Sequence, residues 1–96
     1  MKLEISEIQI IPVRPQSGLV AFASCVINNQ FYVGNIAVYS SPLSKDGFRL
    51  VFPTKKLSSG QMVDCFHPIT KEAGDLVTAA IINKYVELMD NFNHVE

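Results

Sequence analysis

Short runs of β-branched and aromatic residues fill the chain as far as about Val63, and a four-residue apolar period takes over near Ile69. In the first run Leu3 and Ile5 keep one phase, and Ile8 and Ile10 keep the other. The β-branched content argues for a strand, and the change of phase argues for a bulge near Ser6 and Glu7. Pro12 and Pro15 cannot donate to a ladder, so this strand ends at an edge or leaves the sheet. "GLVAFASCVINN" is apolar on both faces up to Ile27. Asn28-Asn29-Gln30 reads as a tight hairpin turn, because Asn tolerates positive φ. On the third run, strict alternation puts Phe31, Val33, Asn35, Ala37 and Tyr39 on one face. It puts Tyr32, Gly34, Ile36 and Val38 on the other. Apolar residues on both faces imply a central strand covered on each side, with a second subunit as one possible cover.

"SPLSKDG" is a loop built on the turn residues Pro42, Asp46 and Gly47. "FRLVFP" is a short fourth strand closed by Pro53, "TKKLSSGQ" a polar connector, and "MVDCFHP" a fifth strand ending at Pro68. Val77, Ile81, Tyr85 and Leu88 then recur at helical spacing, joined by Ala80. Thr70 is the first candidate N-cap. Gly74 costs about 1 kcal/mol relative to Ala, so a later start capped by Asp75 is the alternative. The expectation is an α+β domain over residues 1–90, with a small antiparallel sheet of about five strands and a C-terminal helix. Residues 91–96 are expected to form a disordered tail.

The chain has 96 residues, which is room for one domain with a modest core. A partner copy would therefore help, and a homodimer is expected. The formal net charge is −1, so attraction to nucleic acid or anionic lipid needs a local patch. Cys25 and Cys65 are too few for a disulfide framework and fit no zinc spacing. The amino-terminal stretch carries Glu4 and Glu7 and does not read as a signal peptide. The longest apolar stretch, near Ala79 to Ile82, is too short to span a bilayer. A cytoplasmic location and no membrane partner are expected.

Three chemistries compete for the segment "FPTKKLSSGQMVDCFHPIT". Cys65 and His67 share a face if they lie on a strand, where an imidazolium would activate a thiol. The plainer assignment makes Cys65 a small core residue and His67 a polar residue at a strand end. No third member or oxyanion hole accompanies them, and no catalytic residue is assigned. Asp64, Cys65 and His67 offer two or three metal ligands, but no second Cys/His cluster exists, so no metal or other cofactor is expected. The glycines are scattered and form no phosphate loop. Lys55 and Lys56 follow Pro53 on the connector, where long cations reach phosphate. Lys71 lies near a helix start, where backbone N–H groups favour anions.

The order "SCVINNQFYVGNIAVY", "FPTKK", "DCFHPI" and "INKYVEL" resembles the stage V sporulation protein G (SpoVG) family from about Ile5 to Leu88. The resemblance implies an antiparallel sheet followed by a C-terminal helical segment, and homodimers formed through the sheets. It also implies cytoplasmic regulators that bind DNA, and in some cases RNA, and act on sporulation septation and related gene control. Lys55, Lys56 and Lys71 are then the candidate nucleic-acid contacts. Where the family usually carries basic residues, this chain has Ala37, Val63, Gly74 and Leu76. A protein-interaction module that keeps the fold with a reduced basic surface is the alternative.

Overall fold

The computed structural model describes residues 2–44 and 47–93. Six strands precede one helix: β1 (Ile5–Gln16), β2 (Leu19–Ile27), β3 (Phe31–Ser40), β4 (Phe48–Val51), β5 (Thr54–Lys56), β6 (Met62–Asp64) and α1 (Lys71–Asn93). The first four form an antiparallel sheet in the order β1-β2-β3-β4, and β5 pairs with β6 in a separate hairpin. The α+β expectation holds. The fifth and sixth strands differ from it. "TKK" is a strand rather than part of a connector, and "MVDCFHP" is a strand only through Asp64, outside the main sheet.

The turn at Asn28 and Asn29 forms as expected, with φ of 52° and 57°. Asn28 locks it: its side-chain Oδ1 accepts from the Glu4 N–H at 2.7 Å, and its own N–H donates to the Glu4 carbonyl at 2.8 Å. The β1 bulge also stands where the phase change puts it. Register slips between Ser6 and Gln9, and Glu7 has φ 48°. β1 is an edge strand, which accommodates Pro12 and Pro15.

β3 departs from strict alternation. Cys25 pairs with Val33 but Ala23 pairs with Ile36, so one extra residue is inserted at Gly34 and Asn35, and Asn35 has φ 56°. The bulge flips the phase. Val33, Ile36 and Val38 therefore share the core face, opposite Cys25, Ala23 and Ala21. Tyr32 does not join Ile36 and Val38, and Ala37 faces the other way from Val33.

The core lies between this face and α1. Val77, Ile81 and Tyr85 are buried against β2 and β3, with Leu3, Ile5, Ile8, Ile10, Phe48 and Leu50 packed around them. The helical period located these residues; it left out Ile82, which is also buried. Phe48 and Tyr85 meet edge-to-face at 5.2 Å, tying β4 to the helix. Thr70 is the N-cap: its Oγ1 accepts from the Ala73 N–H at 3.1 Å, so the helix starts before Gly74 rather than after it. The helix continues through Asn93, and residues 94–96 of the expected tail lie outside the described residues. So do Asp46 and its neighbour Lys45 in the β3–β4 loop. No helix among the described residues is long and apolar enough to cross a membrane.

Candidate nucleic-acid interface

The chain leaves β4 through Phe52 and Pro53 and forms the β5–β6 hairpin. Register pairs Thr54 with Asp64, Lys55 with Val63 and Lys56 with Met62. The hairpin turns on Gly60, whose φ of 94° is open to glycine and costly for other residues. The Gly60 N–H closes the turn on the Leu57 carbonyl at 2.8 Å. Its base is anchored by the Cys65 N–H, which donates to the Pro53 carbonyl at 2.9 Å, and by Phe52 and Phe66, whose rings lie 5.8 Å apart. Apolar packing thus fixes the hairpin root, while every residue of β5 is exposed.

Lys55 and Lys56 are consecutive on a strand, so they project to opposite faces of the hairpin. Neither makes an ion pair among the described residues. Lys71 differs. Its Nζ lies 3.0 Å from Asp75 Oδ2, one helical turn on, with both side chains well exposed. Lys84 is likewise 3.6 Å from Glu87. The structure therefore sets the three candidate contacts in two groups: a free pair on a projecting hairpin, and a lysine already matched with a carboxylate at the helix start. The i, i+4 spacing of Lys71 and Asp75 was the signal in the sequence for that match.

Cys65 is exposed, which corrects its assignment to the core; β6 ends one residue earlier. The buried thiol is Cys25, and burial raises its pKa. His67 meets Asp64, with Nδ1 to Oδ2 at 3.3 Å. The strand stops at Asp64, and the chain turns beyond it. Among the described residues no group of three or more His, Cys, Asp or Glu side chains is placed to hold a metal ion.

The sheet face away from α1 carries a second feature. Ile11, Phe22, Ala37 and Val51 stand in register across all four strands. Ile11, Phe22 and Val51 are exposed, and Ala37 is buried among its neighbours in this row. Beside it, the Arg49 guanidinium lies 4.8 Å from the centre of the Tyr39 ring.

The SpoVG family model matches residues 3–87. A protein of Treponema denticola named "Putative septation protein SpoVG" is 31% identical over 83 residues, 86% of each chain. Proteins of the same name from onion yellows phytoplasma and Archaeoglobus fulgidus are each 29% identical. The first covers 93% of this chain and 87% of the relative, the second 88% and 95%.

Proposed function

The chain belongs to the SpoVG family, and from that premise we propose that it is a nucleic-acid-binding regulatory protein that works as a homodimer, without catalysis. The observation that carries this is the free, exposed pair Lys55 and Lys56 on a hairpin whose root is held by packing. Cations held off the body of the protein meet phosphate without desolvating a core, and they bring little sequence preference. Lys71 makes no phosphate contact in the parent, because Asp75 holds its Nζ at 3.0 Å. The name shared by its relatives points to septation as the process affected.

The homodimer rests on the apolar row Ile11, Phe22, Ala37 and Val51. α1 covers one face of the sheet, and a second copy is the simplest cover for this row on the other. The same row also supports the second reading, a protein-interaction module. By resemblance, Ala37 stands where the family usually places an arginine, so here the row is apolar where relatives are charged.

The test is fluorescence anisotropy with labelled DNA and RNA at low salt, run beside sedimentation at micromolar protein. The parent should bind as a dimer. Lys55→Ala with Lys56→Ala should weaken binding on all sequences while remaining folded and dimeric. Phe22→Asp should give monomers. Absence of binding by the parent at low salt would favour the interaction module, and a monomeric parent would remove the dimer.

A further inference from the structure

Resting on the nucleic-acid reading, we infer that the ring of Tyr32 is a stacking platform for a base of a single strand, at the end of the sheet toward which the chain bearing Lys55 and Lys56 leaves β4; Phe31, the preceding residue on β3, projects to the opposite face. Both rings are unusually bare for residues of a central strand. Phe31 is 66% exposed and Tyr32 74%. They follow the rigid Asn28-Asn29 turn, so their backbone is fixed although their rings are uncovered.

Tyr32 also lies along the strand beside Gly34. A Cβ added to Gly34 would lie 2.9 Å from the Tyr32 hydroxyl oxygen and 3.1 Å from a ring carbon. The ring therefore runs along the strand across Gly34 and occupies the space any larger residue would take. The ring is otherwise open, with Tyr32 74% exposed. An exposed aromatic ring is what sequence-tolerant stacking uses, because every base offers a π-face.

Topology brings the cations to the same end of the sheet. β4 is antiparallel to β3, pairing Phe48 with Ser40 and Val51 with Ala37. Chain leaving β4 at Val51 thus heads toward the Phe31 end of β3, carrying Lys55 and Lys56 with it. Glu4 borders the turn on the β1 side through its bonds to Asn28, so phosphates are favoured on the lysine side and disfavoured on that one. Aromatic stacking flanked by unpaired lysines is the composition of single-strand binding surfaces. A duplex keeps its bases stacked inward and would use the lysines alone.

The experiment compares a labelled oligo-dT or oligo-U single strand with a blunt duplex of the same length, at low salt. Tyr32→Ala should weaken single-strand binding by roughly 5- to 150-fold, the range for loss of one stacked base, whereas Phe31→Ala, on the opposite face of β3, should leave it unchanged. Their duplex affinity and salt slope should not move. Tyr32→Phe should retain single-strand binding, because the ring remains. Gly34→Ala should reproduce much of the Tyr32→Ala loss by displacing the ring, and circular dichroism and sedimentation should show a folded, dimeric variant. Lys55→Ala with Lys56→Ala should weaken both probes. Unchanged single-strand binding in Tyr32→Ala, with the lysine variant still weakened, overturns the platform and leaves the nucleic-acid reading standing. Equal losses on strand and duplex overturn it too. Dissociation of the dimer by the aromatic substitutions would assign these rings to self-association instead. A parent that binds neither probe overturns both readings.

Discussion

Asp75→Asn should strengthen nucleic-acid binding and make it more salt-dependent. Two free lysines per subunit, Lys55 and Lys56, give four phosphate contacts in the proposed dimer. At about −0.9 per contact on duplex DNA, the slope of log K against log salt is about −3.6. Affinity should then fall roughly 150-fold between about 50 and about 200 mM salt. Removing the Asp75 carboxylate releases Lys71, whose Nζ it holds at 3.0 Å. Two further contacts bring the slope to about −5.4 and the same fall to roughly 1,800-fold. The loss in stability should be small. The pair is exposed and contributes at most about 1 kcal/mol, and Asp75, beyond the first turn of α1, adds little through the helix dipole. Anisotropy titrations at four or five salt concentrations measure the slope, and thermal unfolding checks the fold. Lys71→Ala in the parent should leave the slope unchanged. If Asp75→Asn gives the parent's slope, Lys71 does not belong to the same surface. If Lys71→Ala already makes the slope shallower, the lysine leaves Asp75 for phosphate and the competition argument is wrong.

Gly74→Ala should stabilise the protein by about 0.5–1 kcal/mol, because Gly74 lies inside the helix and the added methyl meets Pro68 at an ordinary contact distance of 3.8 Å. That corresponds to a Tm higher by roughly 2–8 °C in thermal unfolding, and a fall in Tm would mean that the helix start is strained there. A thiol reagent should modify the exposed Cys65 at once and Cys25 only as the protein unfolds. Burial raises the Cys25 pKa above its ordinary 9.0, so the folded state holds the proton more tightly. The associated stability is complete below pH 9.0 and is lost as pH rises through the raised folded value. Cys25→Ala should flatten this alkaline fall in denaturant midpoint, and an unchanged pH profile would assign the fall to other groups.

The parts of the fold that could be read in advance are those where one residue decides a local conformation. The phase change between Ile5 and Ile8 located the β1 bulge, and two asparagines located the turn. The β3 bulge had a comparable signal in Gly34-Asn35, but apolar residues on both sides made either phase acceptable, and strict alternation assigned the wrong one. The β5–β6 hairpin was hidden because strands of three residues show no periodicity, and "TKK" lacks β-branched content beyond Thr54. Its existence depends on the root contacts of Phe52 with Phe66 and of Cys65 with Pro53, which are tertiary. Of the candidate site, the exposure of Lys55 and Lys56 was legible from their place after Pro53. The bareness of Tyr32 was not, because it follows from the β3 bulge.

The two bulges explain how one small sheet offers separate surfaces. Glu7 in β1 is inserted between partners of Val26 and Ser24, and Gly34-Asn35 in β3 between partners of Cys25 and Ala23. Both irregularities therefore stand at nearly the same level of β2, one on each side of it. A bulge bends its strand and increases local twist, so two at one level turn the end of the sheet relative to the rest. Ile11, Phe22, Ala37 and Val51 lie on one side of that line, and Phe31 and Tyr32 on the other. The phase change also keeps Val33, Ile36 and Val38 on the core face, so the bend does not interrupt packing against α1. Without the extra residue in β3, Ile36 and Val38 would face away from the helix, and the core would lose two of its largest fully buried side chains. The insertion that secures the core is thus the same one that leaves Tyr32 lying over Gly34. A deletion of Asn35 should for this reason disturb stability and single-strand binding together, whereas Tyr32→Ala should separate them.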